Sequence, residues 1–358
     1  MIAKKLCVLL PLSAVVLGLA LPGAAQNGGK TIIGKVVRLD PRFDKLIPKD
    51  AQLEKIAGPF IWTEGTVWVK NGGYLLFSDI PNNVVMKWKE GEGATKFVFP
   101  SGYTGKKARG GKPGDEPGSN GLTIDPEGRL TLCEHGDRRV RRIDVKLGPD
   151  TKPMLDAKTM KKTTLAHKFD GKRLNSPNDQ VWHSNGDLYF TDPPYGLLKN
   201  WDDPARELDY CGFYLLKKDG TLKLLSKEMS RPNGIALSPD EKTLYIANSD
   251  FAKPVWMAFP VKSDGTIGEG KVFYDASEQV KAKKPGLPDG MKVDVDGNLF
   301  ATGPGGLFVF APDGTLLGMI ERTEPTANCC FGDDGSTLYI ACNHDIGRIR
   351  TTTKGKGF

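Results

Sequence analysis

Cysteine is scarce, with 6 in a chain of 358 residues, and no two are spaced as CxxC. The low count argues against a scaffold stapled by disulfides, and the missing pair argues against a zinc or dithiol redox site. Also absent are the GxSxG elbow of a serine hydrolase and the HExxH helix of a zinc protease. The net charge of +7 is mild, and lysines such as those within 106–112 and 158–162 have no aromatics between them, so nucleic-acid binding has little support. What the chain does have is turn-forming residues. Its 43 Gly and 25 Pro make up about a fifth of the sequence, against an average of roughly 12%. That composition excludes coiled coils and long helices, lacks the signature of disorder, and suits many short strands joined by turns.

The N-terminus reads as a secretory leader. Lys4 and Lys5 precede an apolar run from Leu6 to Leu21, and Pro22-Gly23-Ala24-Ala25 supplies small residues for cleavage before Gln26. An uncleaved membrane anchor is the rival reading, because the run borders on spanning length. No Cys stands at the cleavage point, which argues against a lipoprotein. The expectation is therefore a signal peptide over residues 1–25, an exported bacterial protein in the periplasm or secreted, and no membrane attachment after cleavage. Cleavage removes Cys7 and leaves five cysteines, Cys133, Cys211, Cys329, Cys330 and Cys342, expected as buried free thiols.

A repeat organises the rest. A turn followed by Leu and a β-prone run recurs six times, marked by Leu75, Leu130, Leu188, Leu244, Leu299 and Leu338, at separations of 55, 58, 56, 55 and 39 residues. Each unit continues into further short strands, with Asp-Gly hairpin signals such as Asp264-Gly265 and Asp313-Gly314. Four antiparallel strands repeated radially describe a propeller blade, so the fold expected is an all-β, six-bladed β-propeller. It forms one domain over residues 51–358, behind an arm over 26–50. The sixth unit is short, and a strand near Gln52–Ile56 is expected to complete it and close the ring.

Ten or eleven residues before each marker stand Glu64, Asn120, Asn178, Asn233, Asp289 and Asn328. All six are carboxylates or carboxamides. The first strand of each blade lines the central channel, so these residues form a ring at one mouth. Buried carboxylates repel and unpaired amides cost free energy, and a hard divalent cation resolves both. Oxygen donors of this kind suit Ca²⁺ or Mg²⁺. The competing reading is that Asn-Gly and Asp-Gly at these places only mark turns. Between residues 102 and 118 the chain is rich in Gly and Lys but lacks the GK[ST] ending of a phosphate loop; it reads as a mobile loop near the mouth, a candidate lid. Asp294-Val295-Asp296-Gly297 resembles half an EF-hand loop but has no acidic twelfth ligand, and sits on a blade hairpin.

At these residues the sequence resembles the senescence marker protein (regucalcin)/gluconolactonase family of six-bladed propeller hydrolases, closest to its bacterial gluconolactonase-like branch. The matching runs include Thr63-Glu-Gly-Thr-Val-Trp68, Ser119-Asn-Gly-Leu122, Cys133-Glu-His-Gly136, Leu174-Asn-Ser-Pro-Asn-Asp179, Arg231-Pro-Asn-Gly234 and Leu287-Pro-Asp-Gly-Met291. The resemblance implies a metal-dependent lactonase whose cation is held by Glu64, Asn178, Asn233 and Asp289, with Asp289 also the general base or nucleophile. Calcium comes first, with magnesium and zinc as alternatives. One position departs from the pattern. The regucalcin branch places an Arg two residues before the Asn matching Asn178, where it holds sugar hydroxyls, and here that residue is Ser176, which leaves preference for an aldonolactone open.

The expected activity is thus hydrolysis of a small lactone, a sugar lactone or another, to a hydroxy acid, with Asp289 catalytic. Asn120, His135, Asp192, Tyr195 and Asn328 are expected to touch substrate or to support the ligands. Arg138 and Arg139 either reach substrate or lie on the surface. Two alternatives remain open: a phosphotriesterase like diisopropyl-fluorophosphatase, which looks similar in placing a Glu, two Asn and an Asp on calcium, and a non-catalytic propeller that binds a ligand.

Overall fold

The structure, a computed structural model, describes residues 26, 27 and 29–358. The leader expected over 1–25 lies outside the described residues. Six antiparallel sheets follow one another around a ring. Blade 1 is built from Thr63–Val69, Tyr74–Asp79, Val84–Lys89 and Gly93–Val98, and blade 2 from Ser119–Ile124, Arg129–Glu134, Arg139–Lys146 and Lys162–Ala166. Blade 3 comprises Gln180–Trp182, Leu188–Asp192, Gly212–Leu216 and Leu222–Ser226, and blade 4 Pro232–Leu237, Thr243–Asn248, Val255–Pro260 and Lys271–Asp275. In blade 5 the strands are Met291–Val293, Leu299–Gly303, Gly306–Phe310 and Leu316–Glu321; in blade 6 Asn328–Gly332, Thr337–Cys342 and Asp345–Arg350. Each blade is a simple meander, as the hairpin signals require. Among the described residues no helix is long and apolar enough to cross a membrane.

The ring closes through the N-terminal side. Glu54–Ala57 pairs antiparallel with Asp345–Arg350, Ile346 opposite Ala57, and becomes the outer strand of blade 6. Residues 26–50, read from the sequence as an arm, also join the propeller. Lys35–Arg38 pairs with Leu316–Glu321 as a fifth strand of blade 5, and the turn Pro41–Lys45 delivers Phe43 into the interior. The physical reason is apolar content, since Phe43 and Ile47 are wholly buried and would be costly to leave in water.

The core is divided into six parts, one at each seam between blades. Leu188, Phe190 and Tyr214 of blade 3 meet Cys133 and Val140 of blade 2. Across the last seam, Trp68, Leu75 and Phe77 of blade 1 pack on Cys330, Tyr339 and Ile346 of blade 6, with Trp68 stacked on Tyr339 at 5.2 Å. The second strand of each blade is buried on both faces, which is why the marker leucines are followed by near-continuous apolar runs. All five described cysteines are free and buried within these seams or beside them.

Candidate active site at the channel mouth

The six ring residues do not sit in turns. Glu64, Asn120, Asn233 and Asn328 lie within first strands, and Asn178 and Asp289 stand two residues before theirs. The glycine that often follows serves the step from blade to blade. Gly65 has φ +53°, and a side chain there would overlap the carbonyl oxygen of Asn120; one at Gly234 would overlap that of Asp289. Gly121 N donates to the Asn178 carbonyl at 2.7 Å. Second-strand hydroxyls tie the same steps: Ser78 Oγ donates to the Asn120 carbonyl at 2.8 Å and Thr191 Oγ1 to the Asn233 carbonyl at 2.7 Å. Neighbouring ring residues are thereby held by backbone, with their side chains left for the channel.

Glu64, Asn120, Asn178, Asn233 and Asp289 line one cavity of about 250 Å³, together with Tyr195. Its outer wall adds Glu116, Trp62, Ser249 and Phe251. Asn120 Oδ1, Asn178 Oδ1 and Asp289 Oδ1 are buried with no hydrogen-bond partner among the described residues. Leaving such an acceptor unmade costs about 1–3 kcal/mol each. The amide of Asn233 is oriented, because its Nδ2 donates to Ser249 Oγ at 2.9 Å, and Ser249 in turn donates to the Pro288 carbonyl.

Asn328 lies below the cavity. Its Oδ1 accepts from Cys329 N at 2.9 Å, which aims Nδ2 at Glu64 Oε2, 3.2 Å away, and at Asp179 Oδ2, 3.4 Å away. It supports a ring carboxylate from beneath. Three buried carboxylates, Glu64, Asp179 and Asp289, thus share the channel end. Burial pushes the Glu64 carboxyl up to about 8, opposed by the Gly65 amide and reinforced by the Asp179 charge. Asp289 is raised well above the carboxylate range by burial first and then by Glu64 and Asp179. The same burial holds the Tyr195 phenol protonated through the physiological range, with the Asp289 charge acting in the same direction.

The donor set fits a hard cation. It consists of two carboxylates and carboxamide oxygens, several without partners among the described residues; no group of three or more His, Cys, Asp or Glu is placed to hold a metal among those residues, here or elsewhere, so the fit rests on the amide oxygens beside Glu64 and Asp289. A larger cavity of about 460 Å³ at the other end of the channel is walled by Trp68, Trp182 and Phe331. Its one side-chain carboxylate, Glu241, is already paired with Lys356 at 3.1 Å.

Other expected residues lie elsewhere. Asp192 is beneath the cavity, where Oδ2 accepts from Asn175 N at 2.8 Å and burial pushes its carboxyl up to about 7; it braces the segment leading to Asn178. Buried Arg138 donates to the carbonyls of Leu174 and Asn175 at 2.8 and 3.0 Å, and Arg139 pairs with Glu134 and Asp137, so neither faces the cavity. Asp294 closes its own hairpin, accepting from Asp296 N and Asn298 N at 3.0 and 2.7 Å. The segment 102–118 does lie at the mouth, but it is tied down. Asn83 Oδ1 accepts from Gly102 N and Tyr103 N at 2.8 and 3.0 Å, Gly111 N reaches the Pro81 carbonyl at 2.6 Å, and Arg109 bridges Asp115 and the Gly196 carbonyl. Glu116 and Ser249 fall outside the first-strand repeat and escaped the sequence reading; the signal for Ser249 was its place at the end of a second strand, across from Asn233.

Comparison with known proteins agrees with this architecture. The chain is 39% identical to a gluconolactonase of Zymomonas mobilis over 355 residues, covering 97% of this chain and 96% of that protein. It is 26% identical to human regucalcin over 290 residues, 79% of this chain and 83% of the relative. Among solved structures, a gluconolactonase from Xanthomonas campestris superposes with a TM-score of 0.72 at 27% identity, covering 91% of this chain and 99% of that one. Residues 62–344, from the first blade to the last and including all six ring positions, match the model of the SMP-30/gluconolactonase/LRE-like region, and the chain belongs to that family.

Proposed function

We propose that the chain hydrolyses a lactone to its hydroxy acid at the channel mouth, with a divalent cation held by Glu64, Asn178, Asn233 and Asp289, calcium first and magnesium or zinc next. One observation carries the reading: buried oxygens of Asn120, Asn178 and Asp289 converge on a single cavity with no partner among the described residues to satisfy them. The named activities of the gluconolactonase relatives support the choice of lactones. Export to the periplasm or out of the cell belongs to the same proposal and rests on residues 1–25.

A bound divalent cation would supply Lewis acidity toward the lactone carbonyl and toward a neighbouring water. The chain's own residues do the rest. Asp289 Oδ1, without a hydrogen-bond partner among the described residues, accepts the proton of the attacking water as the new C–O bond forms. Burial first, and then Glu64 and Asp179, favour its protonated form in the metal-free channel, and the positive charge of a bound cation would favour the carboxylate the step requires. As the ring C–O bond breaks, that proton passes to the leaving alkoxide oxygen and the hydroxy acid is released. Ser249 fixes the Asn233 amide and, through Pro288, the residue before Asp289. Asn328 holds Glu64 in place. The test is pH-stat hydrolysis of D-glucono-1,5-lactone by wild type, Asp289→Asn and Glu64→Gln. Both variants are expected to lose at least a hundred-fold in kcat/KM, and full turnover by both would reject the reading.

A further inference from the structure

Glu116 shares the cavity with Glu64 and Asp289 but comes from the 102–118 segment, not from the ring. Its carboxylate is about a quarter exposed at the mouth, and Oε2 lies 3.2 Å from Nδ1 of His135, whose ring is wholly buried. His135 cannot move aside. A side chain at Gly196 would come within 2.5 Å of the His135 Cβ, and His135 N donates to the Gly118 carbonyl at 3.2 Å. Neither ring nitrogen has a well-aligned hydrogen-bond partner among the described residues, so Glu116 is the group this imidazole faces. A buried polar ring without compensation is costly, and the carboxylate 3.2 Å from Nδ1 is the group placed to offset that cost.

Ser176 stands where the regucalcin branch, in the resemblance noted above, has its Arg. Ser176 is wholly buried outside the cavity lining, and its Oγ donates to the Pro193 carbonyl at 2.6 Å and accepts from Gly196 N at 2.8 Å, which anchors the 193–197 loop. Around Glu116 the outer wall is Trp62, Phe251, Leu287 and Pro325. Flat apolar walls with a fixed carboxylate on one side match a ring that shows C–H on its face and hydroxyls on its edge.

We propose that Glu116, positioned by His135, accepts the hydroxyl groups of the substrate and selects a polyhydroxylated lactone over an unsubstituted one. This rests on the lactonase reading. A carboxylate bonded to a hydroxyl discriminates by roughly ten- to a hundred-fold. The experiment compares D-glucono-1,5-lactone with tetrahydropyran-2-one in wild type, Glu116→Gln, Glu116→Ala and His135→Phe, with unfolding midpoints recorded for each. The ratio of kcat/KM for the first lactone over the second should fall about ten-fold or more in both Glu116 variants, chiefly through KM for the hydroxylated lactone. His135→Phe should move the ratio the same way by a smaller factor, which loss of packing alone would not do. A ratio unchanged within two-fold in Glu116→Gln overturns this inference and leaves the lactonase reading standing. Wild-type protein that hydrolyses neither lactone overturns both.

Discussion

Replacing Glu64 by Gln tests the electrostatics of the channel end without changing its shape. Gln keeps an acceptor for Gly65 N and Asn328 Nδ2, at 3.0 and 3.2 Å in the wild type, but removes the charge. Burial raises the Glu64 carboxyl from 4.5 to about 8, so folding disfavours its ionised form. Below pH 4.5 the group is protonated whether the chain is folded or not and costs nothing. Above it, the unfolded chain ionises first, and stability is withdrawn as the pH climbs through about 8. At about 1.4 kcal/mol per unit, a rise of this size corresponds to a loss on the order of 3 kcal/mol by pH 7, shared with the carboxylates it is coupled to. Glu134 and Asp192, both pushed up to about 7 by burial, act in the same window, so wild type alone does not isolate the channel end. The difference between wild type and Glu64→Gln does, and it reports Glu64 together with its coupling to Asp289. Chelator-treated protein should show Glu64→Gln gaining stability over wild type between pH 5 and pH 8, by several degrees in thermal midpoint. Calcium at a hundred times its Kd should then stabilise wild type by about 2.7 kcal/mol and the variant by far less. A wild-type to variant gap that stays flat between pH 5 and pH 8, or equal calcium shifts for the two, would refute the reasoning.

Gly234→Ala places a methyl against the Asp289 carbonyl, which cannot yield without moving the blade; an overpacking cost of about 1–3 kcal/mol and a fall in kcat/KM are expected by chemical denaturation and steady-state kinetics. Asn328→Leu removes the amide that faces Glu64 and Asp179 while keeping volume, and calcium affinity by calorimetry should weaken by roughly ten- to a hundred-fold. Phe43→Ala empties a buried site where the N-terminal segment meets blades 5 and 6, at a cost of about 3–5 kcal/mol in denaturant unfolding, whereas a free arm would show almost none.

Much of this was legible in the sequence because a propeller repeats its physics. The marker leucines recur at the period of one blade, and the second strands behind them are buried on both faces, so blade number and strand phase follow from hydrophobic pattern alone. The same period carried Glu64, Asn120, Asn178, Asn233 and Asp289 into one cavity. It carried Asn328 to a different depth, because its own backbone neighbour turns the amide down toward Asp179. The glycines after the ring residues looked like turn signals; at Gly65 the actual constraint is the approach of Asn120 from the next blade, a tertiary contact invisible in a local pattern. Glu116 was hidden for the opposite reason, since it sits on an irregular loop whose course is set by Asn83, Arg109 and Asp115. The N-terminal strands were harder still, because pairing with Leu316–Glu321 spans nearly the whole chain.

The central claim is that oxygen donors at the channel mouth hold a divalent cation needed to open a lactone ring. The direct measurement is pH-stat hydrolysis of D-glucono-1,5-lactone by chelator-treated protein, before and after titration with calcium, magnesium or zinc. The account predicts negligible turnover without metal and recovery that saturates at one cation per chain. Turnover undiminished in the stripped protein, or no turnover with any of the three ions, would contradict it.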